Sequence, residues 1–163
     1  MKILKTSKGR DFKVDDEDYD RCKDIVWHSR RSTNRHETWY VYRCIMVNKK
    51  EKYQLLHRFL LGVSDRKIQV DHRDLDGENC QKYNLRECGQ SQNNANRRVT
   101  KTKSSDFKGV VFCSKNTCKA QIQVEGIKIY LGCFKKHSDA ARAYDEAAIR
   151  YFGEFALLNF PLK

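Results

Sequence analysis

The sequence predicts an α+β protein made of two small parts, and three observations support that prediction. Residues 1–69 hold short β-like runs broken by polar turns. Residues 106–160 hold three alternating runs, followed by an alanine-rich segment whose apolar residues recur every three to four positions. Between them, residues 99–105 form a basic, polar stretch whose only apolar residue is Val99. A chain of 163 residues is long enough for one ordinary domain or two small ones.

The first part of the chain predicts short elements joined by tight turns. A turn at 8–10 separates two β-like runs, and residues 15–25 are typical of a short helix whose first-turn acids favour the helix dipole. Residues 38–47 are aromatic and β-branched, which predicts a strand. Residues 54–61 are apolar and fit either a strand or a helix.

The second part predicts a three-stranded antiparallel sheet with one helix packed across it. The strands are expected over 109–112, 119–124 and 127–134. Glu125 and Gly126 are expected to form the tight hairpin turn between the last two strands. A helix over 138–152 carries an alanine and tyrosine stripe that is typical of a core-facing side, and Gly153 ends it.

The composition favours a polyphosphate partner. Lys and Arg number 33 against 21 Asp and Glu, which gives a net charge of +12. Such an excess on a small protein is the electrostatic footprint of a nucleic-acid binder, although it is also compatible with a solubility device or a basic RNA-binding scaffold. Hydrophobic residues make up 39% of the chain and aromatic residues 11%, so small cores are expected and wholesale disorder is not.

The seven cysteines predict free thiols. Their number is odd and no two are spaced as C-x-x-C. The sequence shows no apolar leader after Met1 and no run long enough to span a bilayer, so we expect an intracellular protein without a membrane partner, cytoplasmic or, in a eukaryotic host, nuclear. Zinc binding by Cys80 with Cys88, or Cys113 with Cys118, stays open, although both spacings match compact zinc sites poorly.

Residues 70–97 carry the most informative pattern in the chain. Asp71 and His72 are adjacent, Asn84 follows His72 by twelve residues, and Asn93 follows Asn84 by nine. One carboxylate and one amide oxygen can suffice as protein ligands of Mg²⁺, because that ion keeps several waters. A neutral histidine can take a proton from water near pH 7. The pattern therefore indicates metal-assisted hydrolysis.

The same residues resemble the HNH endonuclease family in its phage and intron-encoded homing form. The resemblance rests on the DH…N…N spacing, on NLR at 84–86 and on the asparagine-rich run at 92–96. The acidic segment at 14–20, a tryptophan and LHR at 56–58 match a stretch that often precedes the motif, so the resemblance covers nearly all of 10–98. It implies a ββα-metal core over about residues 55–98.

The resemblance implies a role for each motif residue. His72 would be the general base, and Asp71 and Asn93 would ligate one divalent metal, Mg²⁺ or Mn²⁺. Asn84 would bond the loop backbone and hold His72 in place without touching the metal. A flat strand sends neighbouring side chains to opposite faces, so Asp71 and His72 can share a site only where the strand bends or ends.

Two further residues and two departures from the family complete the picture. Arg58 is a candidate for gripping the scissile phosphate in a charge-assisted fork. His57 lies in an apolar run and is either a catalytic residue or a core histidine. Residues 79–81 are Asn-Cys-Gln where the family usually has an acid, Asn and Arg, and Gly89 replaces a helix-capping Thr. Glycine caps nearly as well.

Residues 107–160 resemble the plant APETALA2/ethylene-response-factor DNA-binding domain. The matching segments are FKGV at 107–110, YLG-F at 130–134, AARAYDEAA at 140–148 and LNFP at 158–161. The resemblance implies a sheet in the major groove, although lysines are also common on any solvated face. The candidate DNA-binding residues are Lys108, Lys115, Lys119, Gln121, Gln123, Lys128, Arg97 and Arg98. Cys118 replaces a family Trp, which is expected to change the grip on the groove.

These observations predict an HNH endonuclease domain over 1–98, a basic linker over 99–105 and a DNA-binding domain over 106–163. The expected activity is metal-dependent hydrolysis of double-stranded DNA to 5′-phosphate and 3′-hydroxyl ends, by a homing or nicking enzyme that acts as a monomer. Two alternatives stay open. One is a non-cleaving, sequence-specific DNA-binding regulator with a vestigial HNH fold, and the other is an RNA-binding scaffold.

Overall fold

The computed structural model describes residues 1–32, 38–99, 105–114 and 116–161. Within these ranges the chain forms several small antiparallel sheets and a few helices, which confirms the α+β class. Its contacts divide it into two compact units, Met1–Cys88 and Gly89–Lys163. No helix in the described ranges has both the length and the apolar character needed to cross a bilayer.

The first unit consists of short strands, paired in three antiparallel sheets, and two helices. Its elements are β1 (Lys2–Lys5), β2 (Asp11–Val14), α1 (Asp16–Cys22), β3 (His28–Arg31), β4 (Trp39–Val47), β5 (Lys50–Leu55), α2 (Leu56–Leu61), β6 (Gln69–His72) and β7 (Leu85–Cys88). β1 pairs with β2, β4 lies between β3 and β5, and β6 pairs with β7. The predicted acidic helix and aromatic strand are confirmed. The ambiguous segment 54–61 divides after Leu55 into a strand end and a helix.

The core of the first unit is built around Trp27. Its ring meets Phe12 edge-on with centroids 6.2 Å apart, and its indole N–H donates to the Cys22 carbonyl at 3.0 Å. Val41 of β4 and Leu56 of α2 are fully buried beside it. Burying one such aliphatic side chain contributes roughly 1.5–3 kcal/mol. This packing holds α2 against β4.

The second unit is a three-stranded sheet with a long helix. Its elements are α3 (Gln90–Ala95), β8 (Val110–Ser114), β9 (Thr117–Val124), β10 (Ile127–Phe134), α4 (His137–Phe152) and a 3₁₀ turn (Gly153–Phe155). β9 is the central strand, antiparallel to both neighbours. Glu125 and Gly126 have φ of 48° and 86°, as the predicted tight turn requires. Gly153 ends α4, as predicted.

Small residues let α4 approach the sheet closely. Ala140 and Ala141 are fully buried and pack with Ala120 of β9. Gly109 has φ +75°, and a Cβ built on it would overlap the ring of Tyr144 on α4. Only glycine therefore fits position 109, because both the backbone conformation and the space exclude a side chain.

Helix α3 packs with the second unit. Ala95 is buried in one cluster with residues of β9 and α4, and its carbonyl accepts a hydrogen bond from the Leu157 N–H at 3.2 Å. The Ser91 hydroxyl accepts the Glu125 N–H at 3.0 Å. The second unit therefore begins at Gly89, about ten residues before the end of the predicted nuclease domain.

The functional boundaries 1–98, 99–105 and 106–163 stay predictions, because compactness alone does not assign a function to a segment. Most of the predicted linker, residues 100–104, lies outside the described residues.

Candidate functional site

The β6–β7 hairpin presents the Asp-His pair. Asp71 lies opposite Arg86 and His72 lies opposite Leu85. β6 ends at His72, where the Leu75 N–H donates to the His72 carbonyl at 3.0 Å and the chain turns. The strand therefore ends at the position where the two neighbouring side chains could serve one site.

Asp71 and Arg86 form a buried ion pair. The Nε and Nη2 atoms of Arg86 donate to Oδ2 of Asp71 at 2.9 and 2.8 Å, and both side chains are buried. Charge-assisted bonds of this kind fix the orientation of a carboxylate. Sequence reasoning noted Arg86 only as part of the NLR match. The signal that reveals its role is the register that places it opposite Asp71.

His72 is enclosed by other rings and a thiol. Its side chain is 5% exposed, its ring lies 4.9 Å from the His57 ring and 6.0 Å from the Tyr40 ring, and its Nε2 is 3.8 Å from Sγ of Cys80. Burial lowers the pKa of His72 to about 4, against the weaker opposing effect of nearby aspartates. The imidazole is therefore neutral at pH 7, and the same burial makes it a weaker base than a free histidine.

His57 is an interior residue that packs against His72. Its ring is perpendicular to that of His72 and lies 6.0 Å from Tyr40. Burial, followed by the charge of His72, lowers the pKa of His57 well below its usual value. Its Nδ1 has no hydrogen-bond partner among the described residues, so it is not a satisfied core histidine. Its catalytic role stays a prediction.

Asn84 closes the loop that follows His72. Its Oδ1 accepts the Asp74 N–H at 3.0 Å, and its Nδ2 donates to the Asn79 carbonyl at 2.8 Å and to Oδ1 of Asp74 at 2.9 Å. The Arg73 N–H donates to the Asn84 carbonyl at 2.9 Å. These are the loop bonds that the family resemblance implies for Asn84, whereas its part in catalysis stays a prediction.

Gly77 lets this loop lie directly on β4. A Cβ at Gly77 would overlap the Trp39 carbonyl oxygen and crowd the Tyr40 ring. Tyr40 in turn contacts the rings of both histidines. Sequence reasoning identified the turn at Gly77 but missed Tyr40, because nothing in the local pattern relates a strand residue to a loop more than thirty positions away.

Arg58 and Gln81 both make hydrogen bonds within the first unit. Arg58 donates through Nη1 to the Ile68 carbonyl and through Nη2 to the Asp65 carbonyl, each at 2.7 Å. The guanidinium thus holds the connection between α2 and β6, and its phosphate grip stays a prediction without geometric support. Gln81, which stands where the family usually has an arginine, donates to Oδ1 of Asp15 at 3.0 Å. This hydrogen bond joins the loop to the N-terminal end of α1.

Asn93 lies on α3 in the second unit. Its side chain is half-buried, and its backbone N–H bonds the Gly89 carbonyl at 3.0 Å. The Gly89 N–H donates to Oε1 of Gln92 at 2.9 Å, so the predicted glycine cap is present. The role of Asn93 as a metal ligand stays a prediction.

The donor chemistry around Asp71 suits a hard cation better than zinc. Among the described residues, no group of three His, Cys, Asp or Glu side chains is arranged to hold a metal. Burial raises the pKa of the Cys80 thiol, which disfavours the thiolate that zinc needs. A carboxylate oriented by Arg86 is an oxygen ligand of the kind that Mg²⁺ and Mn²⁺ prefer.

The outer face of the second unit's sheet carries a row of polar side chains. Lys119, Gln121 and Gln123 alternate along β9 with residues buried beneath α4. Lys128 of β10 lies opposite Gln123. The alternation places these four candidates on the side of the sheet away from the helix.

Three other candidates lie elsewhere on the chain, and one exposed residue was missed. Arg97 and Arg98 are exposed just after α3, whereas Lys115 lies outside the described residues. Tyr130 is 64% exposed and lies opposite Gln121, although sequence reasoning used it only as part of a family pattern. An exposed aromatic in the middle of a polar row is a feature of contact surfaces.

Lys108 does not lie free on the outer face. Its ammonium donates to the Ala95 carbonyl, and its backbone N–H donates to Oδ1 of Asn159 at 2.6 Å. Burial lowers the pKa of Lys108 to about 8. The ammonium thus holds the end of α3, and the DNA-binding role of Lys108 stays a prediction.

Cys118 is a core residue. It is fully buried on β9 and packs with Val110 and Ala140. The expectation that replacing tryptophan by Cys118 changes the grip on DNA stays a prediction. The cysteine side chain at position 118 lies between the sheet and α4 and contributes to their packing.

Comparison with known proteins agrees with a two-part chain. No family model matches the sequence. A protein of Acanthamoeba polyphaga mimivirus, described as an uncharacterized HNH endonuclease, is 36% identical over 109 residues, which cover 64% of this chain and 56% of that protein. The present chain thus spans about half of that relative's length.

Plant proteins match a shorter part of the chain. An AP2/ERF and B3 domain-containing protein of Oryza sativa subsp. japonica is 47% identical over 58 residues, 36% of this chain and 16% of the relative. An AP2-like ethylene-responsive transcription factor of Arabidopsis thaliana is 46% identical over 48 residues, 29% of this chain and 16% of the relative. Together the partial matches fit a fusion of an HNH part with an AP2-like part.

Proposed function

We propose that the protein is a metal-dependent DNA endonuclease of the HNH type whose AP2-like part binds DNA. The observation that carries the proposal is a buried, neutral His72 directly after Asp71, whose carboxylate is oriented by Arg86. The similarity to a protein described as an HNH endonuclease supports it.

His72 is the general base in this proposal. Its neutral imidazole accepts the proton of the water that attacks phosphorus, and Asn84 keeps the adjoining loop in place through three hydrogen bonds. The rings of His57 and Tyr40 restrict the orientations open to the imidazole. A base held in this way spends little entropy in reaching its reactive position.

Asp71 would hold one divalent cation, Mg²⁺ or Mn²⁺. Such a cation, when bound, neutralises charge that develops on the phosphate and on the leaving 3′ oxygen. Arg86 acts on Asp71 as an outer partner that fixes the direction of the carboxylate.

The expected products carry 5′-phosphate and 3′-hydroxyl ends. One site hydrolyses one strand, so a monomer is expected to nick duplex DNA. The net charge of +12 favours association with the polyanion and makes it depend on salt.

The sheet of the second unit is proposed to lie in the major groove. Lys119 and Lys128 would contact phosphates and so supply affinity, whereas Gln121 and Gln123 would reach base edges and supply sequence preference. The plant relatives that carry the similarity are named as transcription factors, which supports DNA as the partner.

A second candidate function is DNA binding without cleavage. Two observations favour it: Arg86 already engages Oδ2 of Asp71, and the plant relatives are named as transcription factors. A cation beside Asp71 would have to share that carboxylate with a guanidinium. In this case the HNH part would serve as a scaffold.

Supercoiled plasmid separates the two candidates. Wild-type protein is expected to convert it to nicked circles with Mg²⁺ or Mn²⁺ and not with EDTA, and Asp71→Asn is expected to bind without nicking. End-labelling of the nick tests for the 5′-phosphate. Binding without nicking in either metal would favour the non-cleaving regulator, and neither binding nor nicking would exclude both candidates.

A further inference from the structure

The β4–β5 hairpin of the first unit projects into solvent. Residues 48–53 are all exposed, Met46 is 69% exposed and Tyr53 is 63% exposed. Asn48 and Lys49 have φ of 52° and 60°, so two residues complete the turn and the strands stay paired to the tip. The tip is thus a two-stranded ribbon with solvent on both faces.

The ribbon is strongly basic on one face. Lys50 and Lys52 are alternate residues of β5, opposite Val47 and Ile45, and Lys49 lies in the turn beside them. Glu51 is the only acid in the ribbon, and alternation places it on the other face, where its carboxylate interacts with Cys44. No ion pair of Lys49, Lys50 or Lys52 occurs among the described residues.

We propose that this ribbon is a second DNA-contacting element, which enters a groove of the duplex beside the cleavage site. The inference rests on the proposed function, because it takes DNA as the partner, and it adds a contact outside both the HNH motif and the AP2-like sheet. The occupant is double-stranded DNA, with Lys49, Lys50 and Lys52 on phosphates.

Dimensions and charge complementarity identify this occupant. The major groove, about 12 Å wide, admits a two-stranded β-ribbon. Three ammonium groups at the tip, with no ion pair among the described residues, match a phosphate backbone, whereas an apolar partner would leave them desolvated without counter-charges.

The test uses the full chain and two matched triple variants. One carries Lys49→Gln, Lys50→Gln and Lys52→Gln. The control carries Lys8→Gln, Lys13→Gln and Lys67→Gln, three exposed lysines of the same unit that form no ion pair among the described residues. Both variants lose three positive charges, so they differ only in where the charge is removed.

The measured quantity is the dependence of DNA affinity on salt. If all three hairpin lysines lie on phosphates, the slope of log K against log salt falls by about two to three units in the first variant, since each phosphate contact contributes about 0.9, and by less than about one unit in the control. Equal slopes in the two variants would overturn the proposal.

Lysine acetylation followed by mass spectrometry gives a second measurement on wild-type protein. Duplex DNA is expected to protect Lys49, Lys50 and Lys52 at least several-fold more than Lys8, Lys13 and Lys67. Equal protection would overturn the proposal. Because both measurements follow binding, a protein that binds DNA but never nicks it would exclude the proposed nuclease activity and leave the ribbon proposal to be judged separately.

Discussion

The two units differ in what they bury. The first unit buries many polar groups around one hairpin, and its interior includes Asp18, His57, Asp71, His72, Asn79, Asn84 and Arg86. The second unit buries few, and Asp145 is the one carboxylate among those in its described residues. Burying a polar group costs free energy unless it is hydrogen-bonded.

The two units also differ in whether their buried polar atoms have hydrogen-bond partners. Asp145 accepts the Asn159 and Phe160 N–H groups at 2.8 and 2.9 Å, so it holds the C-terminal segment on α4. In the first unit, Nδ1 of His57 and Oδ1 of Asn79 have no partner within the described part of the chain. The first unit thus leaves buried polar atoms without partners beside the residues proposed for chemistry, whereas the buried carboxylate of the second unit is hydrogen-bonded.

The two units also differ in net charge. The first unit carries 20 Lys and Arg against 15 Asp and Glu, a net charge of +5, and the second carries 13 against 6, a net charge of +7. The smaller unit is thus the more positive one. Long-range attraction of a polyanion is therefore expected to come more from the second unit.

The largest expected effect tests whether the chemistry belongs to the first unit. His72→Ala should lower single-turnover cleavage by about 10²–10⁴, because it removes the general base, while DNA affinity changes little. His137→Ala, on an exposed histidine of the second unit, is the control and should cleave normally. Wild-type cleavage by His72→Ala would contradict the mechanism.

Removing Arg86 tests how much the buried Asp71–Arg86 ion pair matters for the stability of the first unit. Arg86→Ala should lower the free energy of unfolding by about 3–5 kcal/mol, because it leaves Asp71 charged, buried and unpaired. Urea unfolding followed by tryptophan fluorescence reports the first unit selectively, since Trp27 and Trp39 both lie there. Lys5→Ala, which breaks an exposed pair with Asp11, should have little effect. A double variant Asp71→Asn, Arg86→Ala should recover part of the loss.

A glycine pair tests the packing of the second unit. Gly109→Ala should destabilise by roughly 2–5 kcal/mol, because it combines a left-handed backbone with overlap on Tyr144. Gly126→Ala has the same strained backbone and open space around it, so about 1–2 kcal/mol is expected. Amide hydrogen exchange in α4 measures the loss of stability in both variants. Equal losses would show that space at position 109 does not matter.

The buried histidines predict that the first unit is sensitive to acid. A histidine whose folded pKa lies below its unfolded value binds fewer protons when folded, so stability is lost as pH falls from about 6.5 towards the folded pKa. For His72, with a pKa of about 4, the loss by pH 4 is on the order of 3 kcal/mol. Urea unfolding at pH 7.5, 5.5 and 4 measures it. A His57→Gln, His72→Gln variant should show a flatter pH dependence, and an unchanged one would contradict this account.

The smallest expected effect concerns the outer face of the second sheet. Replacing Lys119 and Lys128 by Gln should flatten the salt dependence of DNA binding by up to about two units if both touch phosphate. Replacing Lys135 and Lys136, which are exposed next to α4, is the matched control. Slopes that fall equally in both variants would show that the sheet has no special part in binding.

Local elements were the part of this protein that the sequence determined by itself. The hairpin turn at Glu125 and Gly126, the helix ended by Gly153 and the aromatic strand β4 all lie where the pattern predicts them. Turn chemistry and apolar periodicity act over a few residues, so a single sequence contains them. The Asp71-His72 pair was recognisable for the same reason, because its residues are adjacent.

Only the tertiary structure decided which side chains meet. It placed Arg86 opposite Asp71, set Tyr40 and Cys80 against His72, and turned Lys108 towards α3. Strand register and packing join residues that are far apart along the chain, and periodicity indicates that a side chain is buried without indicating its partner. The sequence therefore predicted which residues could do chemistry, whereas the register of one short hairpin decided how Asp71 is held.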